Sequence, residues 1–274
     1  SSCPFCKSKP GNIQNTIKAS IYLKAVLPSL VDLVQLDKPA KDLIQSANEK
    51  IFFSLRNGDK TFLKIENGEV SYSPEKVDNP TIHILLMSPE HAVQVFEQGK
   101  LPFLLKGFTR ISFLKKNFDA LTKRLEYYLK GPQNYTEEEK KIYAILQLKT
   151  ALRSAEVLAE KEEVSKKILA GTPQGILKVG IESIDFTAYF GYVDGKWKYI
   201  DRLSGQNFSS VLSLKDLETT ELLLTNKLDT FAGLGLGKIH ISGIIPIIDN
   251  VGLVLGRITP VSYTHLTLPT IYSV

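Results

Sequence analysis

The sequence predicts an α+β protein made of two copies of one domain, each with five strands and flanking helices. Three observations predict it. Asn57-Gly58 and Asn67-Gly68 each sit between short runs rich in β-branched and aromatic residues. Asn-Gly is the strongest two-residue hairpin signal, because type I′ turns need positive φ at both central positions. Ser88-Pro89 opens a helix, with Ser as the cap and Pro at the first helical position. Beyond residue 132 much the same order of elements returns, around Asp194-Gly195 and Gly237.

Taken in order, residues 12–36 place Ile13, Ile17, Ile21, Ala25 and Leu30 at helical spacing, with a kink at Pro28. Asp37 caps a short helix over 39–48. The two Asn-Gly turns give a three-stranded antiparallel meander over 50–73. Residues 81–86 add a fourth strand with Ile82, Ile84 and Leu86 on one face. The helix over 89–98 turns Ala92, Val93 and Phe96 inward and stops at Gly99. Residues 101–105 read as an apolar connector and 107–113 alternate like a fifth strand. An amphipathic helix over 118–129 carries Phe118, Leu121, Leu125 and Tyr128 on one side, and Gly131-Pro132 closes the domain.

In the second half, Thr136 and Glu139 form a capping box with acidic residues in the first turn. It opens a helix over 137–170 with the stripe Ile145, Leu148, Leu152, Ala155 and Leu158. Strands follow at 176–181, 186–193 and 196–201, the last two joined by Asp194-Gly195, and a fourth at 207–212. Ser213 caps a helix to residue 226, residues 228–236 form a glycine-rich connector, 237–242 a fifth strand and 247–256 an apolar helix. The expected layout is therefore a tail over 1–12, domains over 13–132 and 133–260, and a non-native tail over 261–274. That last segment, VSYTHLTLPTIYSV, differs in texture from the rest, and its VSYTHL portion resembles a translated sequencing adaptor.

At 274 residues, 43% hydrophobic and 23% charged, the chain has the composition of a globular protein. No run of about 18 apolar residues argues for a spanning helix. The start, Ser-Ser-Cys, lacks an initiator Met and a signal-type segment, and reads as a processed chain or a fragment, cytoplasmic in location. Residues 1–132 hold 19 Lys and Arg against 13 Asp and Glu, whereas 133–274 hold 15 against 16. The excess gathers at Lys106, Arg110, Lys115, Lys116 and Lys123. It reads either as a membrane-facing basic surface or as an ordinary solvated one; no nucleic-acid partner is expected.

Catalytic patterns are missing from the sequence. Cys3 and Cys6 make a CxxC, but a redox motif needs a preceding strand, and here only two residues precede it. As metal ligands they supply half of a tetrahedral site, and the four His are distant in sequence. Residues 233–238, GLGLGK, miss the phosphate-loop spacing, because Ala232 stands at the first glycine position and Ile239 at the hydroxyl position. His83 and His240 fall in predicted strands with no nearby Ser, Cys or carboxylate pattern for nucleophilic catalysis, and both read as structural. No cofactor and no enzymatic activity are expected.

Each half resembles a domain of the type-two sterol carrier protein family. The residues that carry this are Asn67-Gly68-Glu-Val-Ser-Tyr and Asp194-Gly195-Lys-Trp-Lys-Tyr, the strand Asn79-Pro-Thr-Ile-His-Ile, the capped helix ending Gln98-Gly99-Lys100, and the strands led by Gly107 and Gly237. The resemblance covers 38–130 well and 173–258 more loosely; Asn226-Lys227 stands where Gln98-Gly99 would, and the last helix is nearly uncharged. It implies a five-stranded, mainly antiparallel sheet with helices on one face and an apolar tunnel between them. It also implies non-enzymatic binding and carriage of a sterol, fatty acyl chain or other lipid.

In the first domain the implied tunnel residues are Ile82, Ile84, Leu86, Phe96, Leu101 and Phe103, followed by Leu104, Phe108, Phe118, Leu121 and Leu125. In the second they are Leu212, Leu223, Phe231 and Leu236, with Ile247, Ile248 and Val251. The basic surface would dock on anionic membrane while the helix over 118–129 swings to admit ligand. The alternative is an accessory protein that presents a hydrophobic intermediate, such as a quinone precursor, to partner enzymes. Apolar residues on the exposed side of the long helix would favour it. The oligomeric state is open.

Overall fold

A computed structural model of the chain describes residues 15–75, 78–225 and 227–258. Cys3, Cys6 and the 261–274 tail lie outside the described residues. The described residues fall into two units, 15–135 and 136–258, each holding a five-stranded sheet.

In the first unit, α1 (Asn15–Ile21), a π-helical turn (Tyr22–Val26) and α2 (Ser29–Leu36) form one bent run. The bend is at Pro28, which has no N–H to continue the ladder. Asp37 caps α3 (Lys38–Leu43), its carboxylate accepting from the Ala40 N–H at 3.1 Å. This helix ends well before the expected residue 48.

The meander β1 (Glu49–Leu55), β2 (Lys60–Glu66) and β3 (Glu69–Ser73) follows. Asn67 and Gly68 have φ of 53° and 72°, the type I′ geometry that the sequence signals. Asn57-Gly58 differs from expectation. Its connection spans residues 56–59, closed by the Leu55 N–H donating to Asp59 O at 2.9 Å, and Gly58 is outside the left-handed region.

β4 (Ile82–Leu86) pairs with β1 in parallel, Ile51 opposite Ile82 and Leu55 opposite Leu86. Ser88 caps α4 (Pro89–Gln98) by accepting from the His91 N–H at 3.0 Å, and Gly99 ends it in the left-handed region. The fifth strand is β5 (Phe103–Lys106), inside the expected connector, and not 107–113. The reason is Gly107. Its φ is 113°, and a Cβ there would lie 3.2 Å from the Ile82 Cα, so only glycine fits this close turn. The chain then coils through a 3₁₀ turn (Phe108–Arg110), α5 (Ile111–Phe113), a π turn (Leu114–Phe118) and α6 (Asp119–Leu129). The helix expected from 118 therefore has a ten-residue lead-in.

In the second unit, the Thr136 hydroxyl accepts from the Glu139 N–H at 3.2 Å while Glu139 accepts from the Thr136 N–H at 3.0 Å. This box opens α7 (Glu137–Lys161). Extended backbone at Glu162 breaks the expected single helix and starts α8 (Glu163–Ala170). The meander β6 (Ile176–Ile181), β7 (Phe186–Val193) and β8 (Lys196–Ile200) is close to expectation, with Asp194 and Gly195 at φ 52° and 81°.

β9 (Ser210–Leu214) begins later than expected. Ser213 lies in that strand and caps nothing; Asp216 is the cap of α9 (Leu217–Leu224), accepting from the Thr219 N–H at 2.8 Å. The glycine-rich connector contains α10 (Thr230–Gly235), and β10 (Ile239–Gly243) and α11 (Ile245–Leu255) complete the unit.

The strand orders are β3-β2-β1-β4-β5 and β10-β9-β6-β7-β8, so both sheets run fifth, fourth, first, second, third. Each has one parallel pair, β1 with β4 and β6 with β9. The sheets are thus mixed, a correction to the mainly antiparallel expectation. A meander followed by a strand on the far side of its first member requires a crossover, and the crossover makes that pair parallel.

The first core lies between one sheet face and the helices. Phe53 meets Phe118 at 6.4 Å between ring centroids, and Tyr22 stacks on Phe96 at 4.7 Å. Asp37, 3% exposed, takes both Arg124 Nε and Nη2 at 2.9 and 2.7 Å and the Tyr128 hydroxyl at 2.9 Å. One carboxylate therefore joins the start of α3 to α6. In the second unit Leu177, Val179, Ile181 and Phe190 are buried with Ile247, Val251 and Val254 of α11. Arg257 Nε, just past α11, donates to Glu162 at 2.5 Å, and Asn250 Nδ2 donates to the Thr172 hydroxyl at 2.8 Å.

Candidate functional site

The register places equivalent side chains side by side for comparison. Ile51, Phe53 and Leu55 face Ile82, Ile84 and Leu86 across the first parallel pair; Leu177, Val179 and Ile181 face Ser210, Leu212 and Leu214 across the second. In the first unit all three fourth-strand residues are sealed. In the second, Ser210 replaces Ile82 and turns its hydroxyl to Ile244 O at 3.0 Å, while Leu212 is only half-buried. Ile241, opposite Leu212 on β10, and Leu223 on α9 are half-buried too. The second sheet is thus partly open around Leu212 and Ile241 of its fourth and fifth strands.

The sequence-predicted tunnel residues divide accordingly. Ile82, Ile84, Leu86, Phe96, Phe118, Leu121 and Leu125 are all in the tightly packed layer of the first unit. Leu101 and Leu104 are half-buried, and Phe103 and Phe108 are 53% and 57% exposed. In the second unit Ile247, Ile248 and Val251 are buried, whereas Phe231 and Leu236 are 82% and 66% exposed. Lys106, Arg110, Lys115, Lys116 and Lys123 are exposed; Arg110 sits 3.6 Å from Glu49 and Lys123 3.0 Å from Asp119.

Both fifth strands are sheet edges. At the first, Phe103 pairs with Leu85, on the sheet face opposite Ile84. His91 anchors this edge. Its Nδ1 accepts from the Met87 N–H at 3.0 Å, which leaves Nε2 to donate to Leu101 O at 3.0 Å, and its ring stands edge-on to Phe103 at 5.7 Å. The sequence reading gave His91 no role. The signal it missed was the position of this His in the first turn of a capped helix, where the ring can fold back on the strand just left.

Two polar groupings correct the reading of the histidines. Ser54 Oγ lies 2.7 Å from His83 Nε2, and on the second sheet Glu182 takes the Ser213 hydroxyl at 2.8 Å and lies 3.3 Å from His240 Nδ1. The partners lie far off in sequence, Ser54 in β1 and Glu182 in the 3₁₀ turn after β6, so no local spacing could show them. The Ser213 hydrogen bond, then His240, hold the Glu182 carboxyl below its ordinary range. Ser213 donates to the carboxylate and not to the imidazole, and Ser54 is buried beside a half-buried His83. Among the described residues no group of three His, Cys, Asp or Glu could hold a metal ion.

A cleft of about 290 Å³ lies between α7–α8 and the β7–β8 end of the second sheet, lined by residues that include Ala159, Lys166, Leu169, Gln174, Tyr192 and Trp197. Nearby, burial opposes ionisation of Asp201, yet bonds from Lys149 at 3.0 Å and Tyr199 at 2.8 Å keep its carboxyl below the usual range. Among the described residues no helix is long and apolar enough to cross a membrane.

These features define an α+β chain of two sheet-and-helix units of one strand order, both with exposed apolar residues near the fifth strand, the first with its fourth-strand layer buried and the second with Leu212 of that layer half-buried. No family model matches the sequence. No curated protein matches it either. Among solved structures, a ubiquinone synthesis protein described as UbiJ-SCP2 aligns over 36% of this chain and 88% of its own, at 14% identity and a TM-score of 0.29. Sterol carrier protein 2 from Yarrowia lipolytica aligns over 42% and 94%, at 11% identity and 0.27. The sec-alkylsulfatase Pisa1 from Pseudomonas sp. aligns over 53% and 29%, at 10% identity and 0.26. Likenesses at this level carry no weight for what the chain binds.

Proposed function

We propose that the chain is a non-enzymatic binder and carrier of an apolar lipid, and that its second unit is the one that admits ligand. The observation that carries this is the half-buried set Leu212, Leu223 and Ile241, beside a fifth-strand edge that leaves Phe231 and Leu236 in solvent. Apolar side chains left open at the edge of a core gain roughly 0.8 kcal/mol for each methylene that a ligand buries against them. The shared strand order and the sequence resemblance to type-two sterol carrier domains support the same reading. In the first unit the corresponding layer is filled, so ligand there requires α6 to lift. Its exposed Lys106, Lys115 and Lys116 supply attraction to anionic membrane.

The accessory-protein alternative asks for apolar surface along the long helix. The outward side of α7 and α8 carries Glu137, Glu138, Lys140, Lys141, Glu160 and Glu163, which favours carriage. Native mass spectrometry of protein purified from cells, with titration of a dansylated fatty acid, tests the proposal. The expected result is a co-purified lipid and saturable fluorescence. No lipid and no uptake would refute it.

A further inference from the structure

Helix α10 is built inside out. Of its two glycines Gly235 is exposed, whereas Gly233 is buried and so close to Ile239 of β10 that a side chain there would collide with it. Its largest residue, Phe231, is 82% exposed, and Leu236 at its end is 66% exposed. A Cβ added at Gly235 or Gly237 would meet nothing within 4 Å, so the tip stands in open space. A helix selected only to cover a sheet edge would place Phe231, and not Gly233, at its inward position. The reverse arrangement holds a bulky apolar wedge against water, where it has no favourable contact until something covers it.

We infer that α10 is a membrane-inserting wedge, and that its occupant is the interface of an anionic bilayer. Two observations select a bilayer over a second protein. Phe231 and Leu236 together present only about 300 Å² of side chain. A stable protein interface buries about 800 Å² on each partner. Lys227, Lys238 and the neighbouring Lys215 also flank the segment, against Asp229 and Asp216, whose carboxylates are engaged as the α10 and α9 caps with the Ala232 and Thr219 N–H at 2.7 and 2.8 Å. The Lys238 N–H donates to Gly233 O at 2.9 Å, which fixes that lysine at the base of the helix. Apolar tip and basic base match the depth profile of an anionic interface: rings among the acyl chains, ammonium groups at the phosphates. This wedge does not depend on whether the protein carries a lipid.

The test is co-sedimentation of the full chain with phosphatidylcholine vesicles, with and without phosphatidylserine. Binding is expected with phosphatidylserine, and it falls about tenfold or more in the double variant Phe231→Ser, Leu236→Ser. Both residues are exposed, so the melting profile stays unchanged. In a Trp197→Phe background, Phe231→Trp should shift its emission to the blue on adding these vesicles and be quenched by brominated acyl chains. Three outcomes would overturn the inference: no sedimentation of the unaltered chain, equal sedimentation of the double variant, or a dimer that Phe231→Ser converts to monomer. The unaltered, delipidated chain should sediment with these vesicles whether or not it takes up fatty acid in vesicle-free buffer, which separates this result from failure of the carrier reading.

Discussion

The two units share a strand order and a hairpin geometry, yet the fourth-strand layer is fully buried in one and partly open in the other. The difference comes down to a few positions. Where the first has the fully buried Ile82 and Ile84, the second has Ser210, whose hydroxyl turns to the Ile244 carbonyl just before α11, and the half-buried Leu212. A common backbone plan therefore sets where a lipid layer could be, while side-chain volume decides whether it is filled.

The sharpest way to break this contrast is a matched pair of truncations. Ile84→Ala should cost about 3–4 kcal/mol, and Leu212→Ala, already half in solvent, about 1 kcal/mol. Trp197 is the single tryptophan and belongs to the second unit, so its fluorescence in urea reports that unit while circular dichroism reports both. Equal costs would end the distinction between a sealed and an open layer. Next in size is Asp37→Ala. Losing the carboxylate should cost the first unit about 3 kcal/mol, discounted because Arg124 keeps partial access to water, and should leave the tryptophan transition in place.

Ligand should act on one unit more than the other. At a hundredfold excess over Kd, a fatty acid should add about 2.7 kcal/mol to the tryptophan-reported transition and less to the other. Stabilisation confined to the first unit would reverse the assignment. The smallest effect concerns pH. Burial, partly offset by the Tyr199 N–H, pushes the Glu156 carboxyl above its ordinary range. The folded state then holds this proton more tightly than the unfolded chain. Stability from this group is complete below the unfolded pKa and is lost as pH rises through the folded one. Glu156→Gln should flatten that loss, seen as a smaller fall in the tryptophan-reported midpoint between acid and neutral pH.

Much of the fold was legible in the sequence because it rests on local chemistry. The Ser88 and Thr136 caps, the two type I′ turns and the limits of β6 and β7 depend on residues a few positions apart. What was not legible depends on distant ones. Gly107 ends β5 because Ile82 presses on it, and the alternation after it, which suggests a strand, belongs to a coil of helical turns. Ser213 looked like a cap, yet strand pairing with β6 and β10 claimed it, and Asp216 took the role. Of the candidate site, the sequence supplied the apolar residues but not their exposure, and His91 acquires its place only once α4 packs back on the strand before it.

By itself the sequence determined the order of elements, the chemistry at their ends and the absence of a local catalytic pattern, since each is written within a few residues. Only the tertiary structure decided which of two similar apolar layers is full. It also decided that α10 shows its phenylalanine to water, because packing density is a property of side chains that meet from strands and helices far apart in the chain.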